Sequence, residues 1–466
     1  MLIINASLGA GQACVALRIE GERIVELAPG LRPRAGEEVF DAAAAAVLPG
    51  LHDHHIHLLA YAAALESVPC GPPQLSDAAA LFNTLARHGA GTGWMRGVGY
   101  HESVAGDIDR AWLDCAVPER PLRIQHRSGQ LWIFNSAGLR QLGVRDGVTG
   151  DDPFERHAGV ASGRLYAGDA WLRERLGGRM PALDEVSRRL AGFGITGVTD
   201  ASPSNARDEF LHSAAEAARG ALRQEVLMMG SAALDPAWRQ PGLAVGATKI
   251  HLRESDLPDF DATCARIVHS HRTGRPVAVH CVTLAELMFA LGALQAAGVR
   301  AGDRLEHAAL STPEAVALVR DAGLAVVTQP HFVFERGDAY LSALATDELA
   351  GLYRARSFVS AGVALGAGSD APYGDADPWR SMAAAQQRLT RGGRRLGAGE
   401  CLDATAALLR LYGSSAQDPG GECRQLQVGA TADLCVLDRS WDAVLEDLAA
   451  VRVRLTLGRG RVLHAA

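Results

Sequence analysis

Apolar and polar positions change texture twice along the chain. Residues 1–48 break into short apolar or alternating runs, MLIINA, CVALRIEG, RIVELAPG and EEVFDAAAAAV, separated by Gly and Pro. Runs of this length between turn residues predict β-strands, too few to bury a sheet by themselves. From about Gly420 the same texture returns in ADLCVLD, VRVRLTLG and RGRVLHA. The two ends, 1–48 and 420–466, are therefore expected to complete one small β-sandwich domain.

Between them, over 49–419, apolar strand-length runs alternate with helical periods, the pattern of βαβ units around a parallel sheet. Strand candidates end at His57 and lie at 194–201, 222–229, 246–252, 275–281, 303–308, 323–330 and 362–370. Eight parallel strands predict an α/β fold of the (β/α)8 TIM-barrel type rather than an open sheet. The helices carry start and stop signals. Thr283 with Glu286 three residues on forms a capping box at the start of TLAELMFALGALQAA, STPEAVALVRDAG (311–323) has Pro near its start and Gly at its end, and Leu183, Val186 and Leu190 form one stripe that stops at Gly194. Residues 65–180 are too long for a barrel connection and hold apolar pieces of their own, GWMRGVGY and PLRIQHRS. They read as a subdomain inserted after strand 1, leaving from the C-terminal rim where the loops of such barrels build active sites.

Composition narrows the partners. A chain of 466 residues that is 48% hydrophobic and 21% charged is ordinary for a soluble globular protein, and a formal charge of −7 offers no basic footprint for nucleic acid. Eight cysteines are scattered without a CxxC pair, which suits reduced thiols in the cytoplasm. The start, MLIINASLGAGQAC, lacks a basic region before an apolar core, and no stretch reaches the roughly 20 apolar residues of a membrane helix. The expected partner is a small molecule, with no membrane and no nucleic acid; a homo-oligomer is compatible with this reading.

The candidate chemistry begins in PGLHDHHIHL, where His55 and His57 stand two residues apart and so share one face of a strand. Two converging imidazoles can hold a metal, but an isolated His-x-His matches by chance too often to decide anything. The other strand ends add weight. Lys249 stands in the apolar GATKIHL, His280 ends VAVHC, His307 ends RLEHA and Asp370 ends GAGSD. Six such residues at five strand ends meet in one small volume if the barrel forms.

PGLHDHHIHL, ATKIHL, VAVHC, RLEHA and GSDAP, in this order and spacing, resemble the metal-dependent amidohydrolase superfamily. WMRGVGY, RSGQLWIFNSAGL, GITGVTDAS, TQP and GSDAPYGDADPW are similar to its branch of N-substituted formamide deformylase-like amide hydrolases. The resemblance implies two divalent ions, with Zn ahead of Mn or Co. His55 and His57 would hold one ion with Asp370, and His280 and His307 the other. Lys249, carboxylated on its ε-nitrogen, would bridge them. Asp370 would be the general base and proton shuttle for a metal-bridging hydroxide that cleaves an amide, cyclic amide, carbamate or urea-type C–N bond.

Two positions depart from that branch: Gln130 stands where a His usually follows Ser-Gly, and Arg253-Glu254 replace an Asp-Gly after Lys249. Tyr100, Arg127, Gln130, His251, Arg253 and His331 are the candidate substrate contacts, and His101 lies among them in the insertion. Two alternatives remain. A mononuclear deaminase would use much the same histidines, but its usual Glu three residues after the fifth-strand His is here Thr283. A catalytically silent barrel used for binding would have shed metal ligands, and this chain keeps every expected one.

Overall fold

A computed structural model describes residues 1–147, 152–177, 180–403 and 405–466. The described chain divides into two compact units, Met1–Leu58 with Ala182–Ala466, and Leu59–Pro181.

The first unit contains the barrel. Its strands are β1 (Leu51–Ile56), β2 (Ile195–Asp200), β3 (Glu225–Gly230), β4 (Leu243–His251), β5 (Val277–Cys281), β6 (Arg304–His307), β7 (Ala325–Thr328) and β8 (Leu365–Ala367), paired in parallel in chain order. Each overlaps one of the expected strands. β1 and β2 are buried along their whole length, as strands covered on both faces must be. The ring closes where β8 has already ended: Asp370 N–H donates to the His55 carbonyl at 2.7 Å, and His57 N–H donates to the Ala371 carbonyl at 3.0 Å. A Cβ on Gly368 would lie 2.3 Å from His55 N, so only glycine permits this approach.

The same unit holds two four-stranded sheets built from the chain ends. One runs, in spatial order, Arg23–Ala28, Val15–Glu20, Leu2–Ala6, Val39–Asp41, and the other Arg461–Ala465, Val453–Gly458, Leu434–Leu437, Val47–Pro49. They share one core, in which Ile3, Leu17 and Ile24 meet Val47, Leu434, Val436 and Leu455. The run AAAAAVLPG reads as one piece leading into the first barrel strand, but the structure splits it. Val47–Pro49 pair with Leu434–Leu437, and β1 begins only after Gly50, where a Cβ would lie 2.3 Å from the Thr196 methyl carbon.

The outer helices follow their local signals. Leu284–Ala297 starts with the reciprocal pair in which Glu286 N–H donates to Thr283 Oγ1 and Thr283 N–H donates to Glu286 Oε2, each at 3.2 Å. Pro313–Asp321 begins on its proline, and Asp184–Gly192 buries Val186 and Leu190 beside Leu183.

The second unit is a six-stranded mixed sheet in the order Phe154–His157, Val160–Tyr166, Leu131–Phe134, Leu122–His126, Met95–Tyr100, Val68–Pro69. Alternate residues of Leu131–Phe134 supply two cores. Ile133 packs with Leu81, Leu113 and Leu122, while Trp132 and Phe134 pack with Leu139 and Leu165.

Candidate metal centre

β1 sorts its histidines by direction. His52 and His54 are buried and bond to the Thr199 hydroxyl (2.9 Å) and the Ser414 hydroxyl (3.1 Å), whereas His55 and His57 turn to Asp370. The His55 and His57 Nε2 atoms lie 3.4 Å and 3.1 Å from Asp370 Oδ1, and the three side chains offer ligand atoms all within 4.8 Å of one another. The His307 ring is 4.8 Å from that of His55 and 4.4 Å from that of His280, centre to centre. Lys249, 3% exposed on β4, has an Nζ atom without a hydrogen-bond partner, 3.8 Å from Glu306 Oε1.

The ring nitrogens facing away are engaged. His55 Nδ1 meets Glu306 Oε2 at 2.5 Å, His307 Nδ1 meets Gln329 Oε1 at 2.6 Å, and His57 Nδ1 meets the Ser202 hydroxyl at 2.9 Å. Carboxylate and amide oxygens only accept, so His55 and His307 carry their protons on Nδ1 and leave the Nε2 lone pairs free as ligands. Two of these residues also hold left-handed backbones, His307 at φ 70° and Asp370 at φ 53°. Non-glycine residues there store strain of about 1–3 kcal/mol each, and persist where surrounding bonds over-determine them. Asp370 is held by its bond to His55, and His307 by Gln329.

Burial sets the charges. It pushes His55 down to about 3, with Lys249 adding to the effect, and holds His280 well below the ordinary histidine value, so both rings are neutral. It also pushes Lys249 down to about 8. Burial alone would raise Asp370 and Glu306. The His57 hydrogen bond and the neighbouring imidazoles keep Asp370 well below the usual carboxylate range, and Arg304, Lys249 and His55 do the same for Glu306. Neutral imidazoles facing an ionised carboxylate fit a divalent cation.

Residues 38–464 match the amidohydrolase family. The chain belongs to that family. It is 26% identical, over 94% of its length and 93% of the relative's, to N-substituted formamide deformylase of Arthrobacter pascens. Two solved structures share its fold: an uncharacterized metal-dependent hydrolase of Pyrococcus horikoshii (19% identity, 99% of each chain, TM-score 0.75) and another of Pyrococcus furiosus (20% identity, 94% of this chain and 99% of that one, TM-score 0.71). This amidohydrolase is thus a metal-dependent enzyme acting on carbon–nitrogen bonds other than peptide bonds.

The candidate substrate contacts fare differently. His251 ends β4 exposed, its ring 4.3 Å from that of His280, and Arg253 is half-buried just before the short turn Glu254–Asp256. His331 follows β7, which ends at Thr328. It opens the helix His331–Ala343, is 1% exposed, and meets the Ser369 carbonyl at 3.0 Å and the Ser381 hydroxyl at 3.3 Å, so both ring nitrogens are engaged beside Asp370. Tyr100 is likewise committed within the second unit: its buried hydroxyl donates to the Gly106 carbonyl at 2.5 Å. Arg127 and Gln130 belong to that unit too, both half-buried, and Gln130 lines a cavity of about 280 Å³ there.

The sequence reading missed Glu306, Arg304, Asp53, Gln329 and Ser202. Arg304 Nε donates to Glu306 Oε1 at 2.7 Å and its Nη2 to the His54 carbonyl at 2.8 Å, while Asp53 Oδ1 accepts from the backbone N–H groups of His55 and Ser369, both at 3.0 Å. One signal was available for two of them: Arg304 and Glu306 are charged residues inside a four-residue barrel strand.

Proposed function

We propose that this amidohydrolase hydrolyses small N-acyl or N-formyl amines, with cyclic amides, carbamates and ureas as related substrates, at a centre of two divalent ions. His55, His57, His280, His307 and Asp370 would hold the ions, and Lys249, carboxylated, would join them. The observation that carries this reading is the convergence of two strand-end histidines on Asp370 beside a buried lysine amine with no hydrogen-bond partner. Burial, by pushing the Lys249 amine down to about 8, enlarges its neutral fraction near neutral pH. Its lone pair can attack carbon dioxide, forming the N–C bond and releasing a proton, which turns a repelled cation into an anionic oxygen ligand. Imidazole and carboxylate donors favour Zn, with Mn or Co as substitutes.

When bound, such ions acidify water and polarise the attacked carbonyl. The chain supplies the proton transfers. Asp370 takes a proton from the attacking water as its oxygen bonds to the carbonyl carbon, and returns it to the nitrogen as the C–N bond breaks, leaving an acid and an amine. His55 and His307 stay neutral ligands because Glu306 and Gln329 hold their Nδ1 protons. The deaminase reading loses further support from Glu286, whose carboxylate accepts from the backbone N–H groups of Val282, Thr283 and Glu254. The formamide named for the Arthrobacter pascens relative puts N-formyl amines first. Eight free cysteines support a cytoplasmic setting, and no helix among the described residues is long and apolar enough to cross a membrane.

The test is a screen of N-formyl amines, N-acyl amino acids, cyclic imides and carbamates, with Zn, Mn and Co each supplied, alongside Lys249→Ala. We expect turnover of one class by the native chain, and a Lys249→Ala protein that holds at most one ion and recovers part of its activity with short carboxylic acids and excess metal. Lys249→Ala retaining two tight ions and full turnover would sink the bridging role.

A further inference from the structure

A second convergence of metal-ligating side chains lies in the unit Leu59–Pro181, outside the barrel. The strands Met95–Tyr100 and Leu122–His126 run parallel with Tyr100 opposite His126, so the chain leaving the first brings His101 beside His126. Their rings stack at 27° with centres 5.8 Å apart. Glu102 reaches both: its Oε1 is 3.5 Å from His101 Nε2 and its Oε2 is 3.0 Å from His126 Nε2. All three side chains offer ligand atoms within 4.8 Å of one another.

The two histidines are held by the same local device. Each begins a His-x-Ser turn, in which Nδ1 meets the serine hydroxyl (2.8 Å to Ser103, 2.7 Å to Ser128) and receives the serine backbone N–H (3.2 Å and 3.1 Å). Nδ1 is thus occupied twice over and Nε2 aims at the shared carboxylate. We propose that His101, Glu102 and His126 form a second metal site that takes one Zn(II), Co(II) or Ni(II) ion independently of the barrel centre.

The distances favour coordination. Metal–ligand bonds of about 2.0–2.1 Å in a tetrahedral site separate donors by about 3.3 Å; each imidazole lies near that distance from one carboxylate oxygen, 3.5 Å to Oε1 and 3.0 Å to Oε2, so a small turn of the exposed Glu102 side chain would present a single oxygen to both. Binding through Nε2 would shift each ring proton from Nε2 to Nδ1, where it donates to the serine hydroxyl oxygen, the nearer partner in both turns. Three protein donors leave a coordination position for water or a ligand, and Glu102 and His126 line the cavity of about 280 Å³ with Ser128, Gln130, Arg164 and Tyr166.

The experiment compares metal content in the full chain and in its Glu102→Gln and His126→Asn variants after equilibration at roughly 10 µM free Zn, a concentration that fills a micromolar site. The Glu102 side chain is 61% exposed, so Glu102→Gln leaves the core untouched. The native chain should hold one equivalent more than either variant, whatever number the barrel holds, and Co(II) should give an absorption component that both variants lack. Equal metal content and unchanged Co(II) spectra would overturn the site, leaving Glu102 as a plain acceptor for two imidazoles.

Discussion

Replacing Glu306 by Gln tests how the centre is held without touching a metal ligand. Glu306 is fully buried, and its two oxygens serve two donors, Arg304 Nε at 2.7 Å and His55 Nδ1 at 2.5 Å. An amide has one oxygen, so Gln must turn an NH₂ group towards one of these N–H donors. If it faces Arg304, a guanidinium that is 3% exposed loses its carboxylate and keeps the His54 carbonyl. Breaking a buried pair from one side typically costs about 3–5 kcal/mol. If it faces His55, the ring loses its acceptor, and loss of such an outer partner typically lowers metal affinity about 10–100-fold. We expect both effects in part: a clearly lower urea midpoint, and Zn affinity reduced at least about tenfold in competition with a chelator.

The pH dependence adds a sign. Glu306 is held well below its unfolded value, so its contribution is fully present above about 4.3 and is lost as pH falls through the lowered folded value. Glu306→Gln should remove that acid limb, giving a shallower loss of stability on acidification than the native chain shows. A variant with native midpoint, native Zn affinity and a native acid limb would refute the role given to Glu306.

Asp370→Asn should retain metal, because an oxygen remains beside His55 and His57, yet lower turnover by about 10²–10⁴-fold in steady-state assays; near-native turnover would remove Asp370 as the base. Gly368→Ala places a Cβ 2.3 Å from His55 N, so we expect weakened barrel closure and poor metal retention, read by metal analysis and thermal melting. Thr283→Ala removes one half of the reciprocal cap and should cost about 1 kcal/mol in a denaturant titration without changing metal content.

The barrel and the polar residues gathered at its strand ends were legible because both depend on local pattern. Parallel strands read as apolar runs, and a polar residue at the end of such a run stands out, as His280 does in VAVHC. The supporting residues were not legible, since no spacing joins them to what they hold: Glu306 lies 251 positions from His55, and Ser202 lies 145 from His57. Gly50 was hidden for a different reason. Periodicity sees AAAAAVLPG as continuous, while the break falls at Gly50, which packs against Thr196, a residue far along the chain. The surroundings of His331 were also illegible, because the strand before it stops at Thr328, a helix starts at His331, and its ring reaches Ser369, 38 positions away.

The join between the first and last barrel strands has a mechanical meaning. Asp53 and Ser369, which meet across it, are 316 positions apart, so this contact closes most of the chain into a loop. An ion held by His55 and His57 on one side and Asp370 on the other would act as a rivet through that join. Its binding free energy would then be spent on keeping the ring shut. Stripped of metal, the protein should breathe first along this line, with amide exchange quickening at His57 and Asp370 before the middle strands respond. A chelator would then loosen one joint and leave the remaining ladders intact.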